Sequence, residues 1–225
     1  AYVLFKQLRA GKFSLDDTLP VSAKAWGMPG ARMYVHLNDK VRAEDLIKGM
    51  IVNSGNDATM TLVEHAAGSE DRFVALMNAE AAALGMRATH FANATGLTQA
   101  EHYSSARDIN LLSVALLREF PDYYQRWYAQ KEFSYAGLIQ FNRNTLLWRM
   151  PGADGVKTGH ARSAGYCLVA SAKRDNMRLV ATLLGAEDEK ARAEAGLSLL
   201  EFGFRTYETR LLYQSLAPSV HVRVW

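Results

Sequence analysis

Two short strings in this chain carry side chains suited to acyl transfer. Ser54-Gly55-Asn56, followed by Asp57-Ala58, sets a hydroxyl that can pass on a proton beside a carboxamide that can both donate and accept hydrogen bonds. Lys157-Thr158-Gly159, followed by His160, lies about a hundred residues downstream. It offers an ammonium that attracts a carboxylate, a second hydroxyl, and a glycine that lets another backbone come close. Hydrolysis of an amide through a serine ester needs an activated hydroxyl, a proton carrier to the leaving amine and donors for the oxyanion. Taken alone, Ser54-Gly55-Asn56 reads as a turn or helix cap, and Lys157 as a solvated lysine on a strand edge. Their order, spacing and flanks lend them weight together. Ser-x-x-Lys, a serine with its activating lysine, occurs nowhere in the chain.

The elements that must position these strings follow from periodicity and punctuation. Apolar spacing through Leu46, Ile47, Met50 and Ile51 predicts a helix over 43–52, which Ser54-Gly55-Asn56 interrupts as a turn. A second helix runs to Ala67, with Asn56 or Asp57 as its cap and Gly68 as its stop. Ser69 can cap a third over 70–84, ended by Gly85, and 89–102 reads as loop. Ser105-Ala106-Arg107-Asp108 resembles a capping box, with Asp for Glu or Gln, ahead of a helix over 106–119 that Phe120-Pro121 closes. Tyr123, Tyr124, Trp127 and Tyr128 fall at helical spacing, which suits packing in a core or groove. Segments 131–135 and 138–141 flank Ala136-Gly137 as one hairpin, and 165–173 and 177–185 flank Arg174-Asp175-Asn176 as another. Gly155-Val156-Lys157-Thr158 is a short strand, and 187–207 a long amphipathic helix. A hairpin followed by a long helix predicts an α+β fold, an antiparallel sheet with a helix on one face. Strand-like pieces around 211–213 and 220–224 place a domain break after Tyr207.

Residues 1–10 read as a helix already under way, stopped by Gly11 and preceded by no capping residue, and the last residues alternate like a strand with no closing partner. The expectation is an internal fragment of a longer protein. Its 225 residues are 49% hydrophobic and 22% charged, enough for a substantial core, and the net charge is +3. The basic residues are scattered, which argues against a nucleic-acid surface. No apolar stretch is long enough to span a bilayer. The single Cys167 sits in an apolar strand-like run and is expected to be buried and inert. No Cys or His cluster has metal-ligand spacing; His36, His65, His90, His102 and His221 are isolated and read as structural or exposed.

On these residues the chain resembles the serine D-alanyl-D-alanine carboxypeptidases among the low-molecular-mass penicillin-binding proteins. The resemblance runs through Leu46-Ile47-Lys48-Gly49-Met50, Asn53-Ser54-Gly55-Asn56-Asp57-Ala58, Phe73-Val74-Ala75-Leu76-Met77-Asn78 and Thr89-His90-Phe91. It continues through Tyr103-Ser104-Ser105-Ala106-Arg107-Asp108, Asn142-Arg143-Asn144-Thr145-Leu146-Leu147-Trp148, Gly155-Val156-Lys157-Thr158-Gly159-His160 and Ala164-Gly165-Tyr166. Ser-Gly-Asn and Lys-Thr-Gly stand as the family's second and third signature elements. Ser-Gly-Asn in place of Ser-Asp-Asn looks like this subgroup and not like class A β-lactamases.

The resemblance implies a β-lactamase/transpeptidase-like α+β fold with a helical subdomain. Residues 1–207 would form a catalytic domain lacking its N-terminal part, and 208–225 the start of a small β-rich domain. The Ser-x-x-Lys nucleophile would lie just upstream of Ala1. The implied substrate is the D-Ala-D-Ala end of peptidoglycan stem peptides, with β-lactam antibiotics as covalent ligands, no metal, no cofactor and no nucleic-acid partner. The implied place is the periplasm, on the outer face of the inner membrane, through a peripheral C-terminal anchor outside this chain.

The roles are implied in the same way. Ser54 would relay a proton between the base lysine and the leaving D-alanine nitrogen, and Asn56 would orient that lysine and hold a substrate amide. Lys157 would lower the base lysine's pKa and attract the terminal carboxylate, which Thr158 and Arg143 would help to hold. Gly159 would let the substrate add as a strand, and the backbone at His160 or Ala161 would serve the oxyanion. Related alternatives are a D,D-endopeptidase and a β-lactamase; no Glu-x-x-Leu-Asn stretch supports the latter. A further alternative is a non-catalytic peptidoglycan-binding protein, if the nucleophile is absent from the natural protein.

Overall fold

The structure, a computed structural model, describes residues 1–210. In chain order the elements begin with α1 (Tyr2–Arg9), β1 (Thr18–Pro20), α2 (Ala23–Trp26) and β2 (Lys40–Arg42). Next come α3 (Ala43–Val52), α4 (Asn56–Ala67), α5 (Glu70–Ala83), α6 (Ala106–Glu119) and α7 (Pro121–Trp127). β3 (Glu132–Tyr135), β4 (Leu138–Phe141), α8 (Leu146–Arg149), β5 (Ala153–Ala161), β6 (Gly165–Arg174), β7 (Met177–Ala186) and α9 (Glu189–Thr206) complete the described chain.

Local chemistry sets most of these boundaries. Gly11, Gly68 and Gly85 follow α1, α4 and α5 with φ of +67, +76 and +74, the left-handed backbone that ends helices. The Ser69 and Ser105 hydroxyls accept from Arg72 and Asp108 backbone N–H as N-caps of α5 and α6. Pro121 ends α6 and opens α7 at once, because proline is tolerated in a first turn and not in a helix interior. Ala136 and Gly137, with φ of +48 and +81, make the two-residue hairpin turn between β3 and β4. The cap of α4 departs from expectation: neither Asn56 nor Asp57 serves, and Gly55 occupies the N-cap with no side-chain bond.

β5, β6 and β7 form an antiparallel sheet in that order, with Lys157 opposite Val169 and Gly159 opposite Cys167. Alternation along β6 divides its side chains between two cores. Leu168, Ala170 and Ala172 join Ala193 and Leu200 of α9 on one face, while Val169 packs with Val156 and the helical part of the molecule on the other. The helix lies close on the sheet at glycines: a Cβ at Gly196 would stand 2.7 Å from Leu168 Cδ2, and one at Gly203 2.5 Å from Leu179 Cδ1. The second core gathers α1, α3, α4, α6 and α7, with Phe5, Leu46, Ile47, Leu62, Tyr124 and Trp127 almost fully buried. The aromatic spacing of 123–128 is therefore core packing. This is the expected α+β architecture, a sheet with a helix on one face and a helical subdomain on the other. The strand-like pieces expected around 211–213 and 220–224 lie outside the described residues, with most of the second domain expected over 208–225.

Candidate active site

Ser54 sits in the three-residue break between α3 and α4. The turn is held by Asn53 N–H and Gly55 N–H, which both donate to Gly49 O, at 3.2 and 3.0 Å. Ser54 itself has φ +58, an uncommon conformation for a residue with a Cβ, which turns its side chain out of the helix line. Across the cleft, β5 is an edge strand among the described residues, and Lys157 projects from it. Lys157 Nζ donates to Ser54 Oγ and, at 2.8 Å, to the carbonyl of Thr158.

Burial lowers the Lys157 ammonium first, and the nearby Arg143 and Arg192 guanidiniums add to it, so its pKa is pushed down to about 8. Thr158 is buried, whereas Gly159 and His160 are exposed on the open edge of β5. The His160 ring lies over its cross-strand partner Tyr166, with ring centroids 4.1 Å apart. Arg143 is exposed in the loop between β4 and α8, on the rim of the same cleft.

Asn56 faces the cleft from the first turn of α4, but its Nδ2 donates to Pro29 O at 2.7 Å. Its neighbour Asp57 does more local work than the sequence suggested. That carboxylate is fully buried and accepts backbone N–H from Met33 and Tyr34 at 2.8 Å, Ala58 at 2.9 Å and Val35 at 3.3 Å. Arg32 Nε lies 3.7 Å away. Asp57 thus ties Met33 to Val35, the stretch that follows the cleft-lining Gly30 and Ala31, to the start of α4. Gly55 permits the approach: a Cβ there would stand 2.9 Å from Met33 N.

The cleft, of about 720 Å³, is lined by Ser54, Asn56, Arg143, Lys157, Thr158, Gly159 and His160 together. Every sequence-selected site residue therefore borders one space. Another wall, Thr95–Leu97, is shaped by Asn93, whose Oδ1 accepts Gly96 N–H at 2.8 Å and whose Nδ2 donates to Leu97 O at 2.8 Å. His102 Nδ1 supports this wall by accepting Ala92 and Asn93 N–H at 3.1 and 3.3 Å. Cys167 is not buried as expected. It is half-buried and lines the cleft, because it alternates with the core residue Leu168 on β6. Arg192 was missed by sequence reasoning, although it falls in helical register with the buried Gly196 and Leu200. Among the described residues no group of three or more His, Cys, Asp or Glu could hold a metal ion.

The family model described as D-alanyl-D-alanine carboxypeptidase matches residues 1–188. The chain is 42% identical over 216 residues to D-alanyl-D-alanine carboxypeptidase DacA of Escherichia coli (strain K12), covering 93% of this chain and 53% of that protein. The crystal structure of D-alanyl-D-alanine carboxypeptidase DacD from Francisella tularensis matches with a TM-score of 0.90 and 33% identity, over 96% of this chain and 65% of that one. Penicillin-Binding Protein D2 from Listeria monocytogenes, in its ampicillin-bound form, matches with a TM-score of 0.81 and 27% identity, over 90% of this chain and 82% of that one. The chain spans about half the length of the curated relatives it matches.

Proposed function

The chain belongs to the D-alanyl-D-alanine carboxypeptidase family and has the fold of its penicillin-binding relatives; from that premise we propose that residues 1–207 form most of the catalytic domain of a serine D-Ala-D-Ala carboxypeptidase. The reading is carried by one observation: Lys157 of the second string donates to Ser54 of the first inside a cleft that also holds Asn56 and Arg143.

In the full-length protein a Ser-x-x-Lys segment upstream of Ala1 supplies the nucleophile and its base. The serine oxygen adds to the carbonyl of the penultimate D-alanine, the C–N bond breaks, and terminal D-alanine leaves with the proton that Ser54 relays. Water then hydrolyses the ester. Lys157 keeps positive charge beside the base lysine and attracts the substrate's carboxylate, with Thr158 and Arg143 beside it. The open edge of β5 at Gly159 receives the substrate as an added strand, and backbone N–H at His160 or Ala161 serves the oxyanion. The carboxamide of Asn56, anchored at one end on Pro29 O, is held at a fixed height for the base lysine and a substrate amide. Penicillins acylate the same serine. The substrate class places the work outside the cytoplasm, and peripheral membrane attachment would come from segments beyond this chain.

The test is release of D-alanine from diacyl-Lys-D-Ala-D-Ala by the full-length protein, alongside labelling by a fluorescent penicillin. Release is expected to persist in a strong chelator, while the 225-residue chain, having no Ser-x-x-Lys, stays unlabelled. Activity that a chelator abolishes and zinc restores overturns the serine mechanism. A labelled band from the 225-residue chain shows that another serine is the nucleophile.

A further inference from the structure

The backbone of β5 is clamped before the strand reaches the cleft. Its pairing with β6 slips between Ala153 and Gly155, so the ladder alone does not set the strand's path there. Asp154, at the slip, accepts from Tyr124 Oη at 3.1 Å and from both terminal nitrogens of Arg178, at 2.8 and 2.7 Å. Gly155 lies so close to the Tyr124 hydroxyl that a Cβ would not fit between them. Asn144 adds a further hold: its Nδ2 donates to Gly155 O at 2.9 Å.

Asn144 is buried, and both ends of its carboxamide are in use. Oδ1 accepts Leu146 N–H, at the start of α8, at 3.2 Å. The backbone N–H of Asn144 donates to Asn142 Oδ1 at 3.0 Å. Asn142 is bound in turn to the base of the β3–β4 hairpin, through Lys131 O at 2.7 Å and Gln130 O at 3.0 Å. One carboxamide thus ties an anchored turn to the strand that bears Lys157. Packing alone does not call for it. The neighbouring Leu146 and Leu147 are buried and apolar, and a buried carboxamide is costly unless its ends are paired.

Lys157 stands two residues beyond Gly155, and its Nζ meets Ser54 Oγ across the cleft. A lysine stem is flexible and does not by itself fix where the ammonium rests. At the tip, Nζ is also held by the carbonyl of Thr158. At the root, its place depends on the height of the β5 backbone, which Asn144 sets through Gly155 O. Asn144 itself does not line the cleft.

We propose that Asn144 is a positioning residue for the proton relay: by holding Gly155 O it brings Lys157 Nζ into register with Ser54 Oγ. The proposal rests on the roles given above to Lys157 and Ser54. Asn144 touches no substrate and moves no proton; it acts through Lys157.

The experiment is a double-substitution cycle in the full-length protein, read by the rate of acylation with a fluorescent penicillin, with thermal melts beside it. Asn144→Leu is expected to slow acylation about tenfold or more, and to cause no further loss in a protein that already carries Lys157→Ala. The pH profile of D-alanine release is a second reading. The charged groups facing Lys157 are the Arg143 and Arg192 guanidiniums, and burial together with these holds its pKa down at about 8. A lysine that leaves this place returns toward 10.5, so the alkaline limb of kcat/KM should move upward in Asn144→Leu. Phe73→Leu on α5, outside the cleft lining, controls for lost stability and should leave the limb where it was. Losses that multiply in the double variant, or an alkaline limb unmoved in Asn144→Leu, overturn the proposal and leave a structural role only. If Asn144→Leu does not fold, Asn144→Ser, too short to reach Gly155 O, decides by the same two readings. An unsubstituted protein that neither releases D-alanine nor labels sinks the carboxypeptidase reading and this proposal with it. One that does both, with Lys157→Ala equally active, sinks the proposal alone.

Discussion

Lys157 Nζ donates to Ser54 Oγ although 103 residues separate them in the chain. The contact joins an edge strand to the break between two helices. It holds because each partner is fixed separately: Lys157 by the ladder of β5 on β6, and Ser54 by the turn on Gly49 O.

Replacing Lys157 with Ala in the full-length protein should leave it folded and acylating poorly with penicillin. A lost charge-assisted contact is worth ~1.5–3 kcal/mol, and each 1.36 kcal/mol is about tenfold in rate. Acylation should therefore slow on the order of tenfold to a hundredfold, read from timed labelling with a fluorescent penicillin. Normal labelling would refute the role given to Lys157.

The same lysine should set a pH limit on anionic ligands. Its pKa is pushed down to about 8, so the ammonium is charged below that value and neutral above it. kcat/KM for a C-terminal carboxylate should fall as pH rises through about 8, since that parameter reports the free enzyme. The effect on stability has the opposite sign. A lysine depressed on folding costs stability below about 8, and that cost is relieved as pH climbs toward the ordinary 10.5. A kcat/KM that stays flat from pH 7 to 10 on the unsubstituted protein, expected to show this step, contradicts the assignment.

Asp57→Ala should destabilise the domain heavily, because it orphans backbone N–H groups of Met33, Tyr34, Val35 and Ala58 at once. A loss on the order of 3–5 kcal/mol is expected, which lowers the melting temperature by roughly 10 °C in a domain of this size. Penicillin labelling should weaken at temperatures where the variant is still folded, because the stretch that Asp57 holds continues directly from Gly30 and Ala31, which line the cleft. A melting curve that superposes on that of the unsubstituted protein would falsify this account of Asp57.

His102 should make the Thr95–Leu97 wall sensitive to mild acid. Its Nδ1 accepts two backbone N–H groups, which requires the neutral ring, and burial followed by His90 lowers its pKa below 6.5. A histidine lowered on folding contributes stability that is complete above about 6.5 and is lost as pH falls below it. Amide exchange at Ala92 and Asn93, corrected for its intrinsic pH dependence, should accelerate by up to about tenfold per pH unit as pH falls from about 6.5 toward the folded-state pKa, and level off below it. The same acceleration in His102→Gln would show that another group is responsible.

Local signals in the chain identified α3 to α6 closely. Their apolar stripes, the serine caps at 69 and 105 and the glycines at 68 and 85 all act within a few residues of where they stand. The hairpins of β3 with β4 and β6 with β7 were equally legible, since two-residue turns demand particular backbone angles. β1 and β2 were missed. Each has three residues, one ends in Pro20, and their pairing closes over more than twenty residues, too far for alternation to reveal. β5 was read too short, because its ends are set by pairing with β6 as far as Ala161↔Gly165 and not by its own composition.

The sequence by itself determined which chemistry was on offer: a hydroxyl and carboxamide at Ser54 and Asn56, an ammonium at Lys157, and helices and strands able to carry them. It also held Arg192 on the buried stripe of α9, although nothing local distinguished that arginine from a surface one. Only the tertiary structure decided that Arg192, Arg143 and Lys157 meet at one end of a cleft, that Asp57 braces segment 29–35 and does not cap a helix, and that Cys167 faces the cleft and not the core. The physical reason is range. Capping, turn geometry and periodicity act over one or two turns of chain, whereas burial and charge at the site are set by which distant surfaces pack together, and that packing is a property of the whole core.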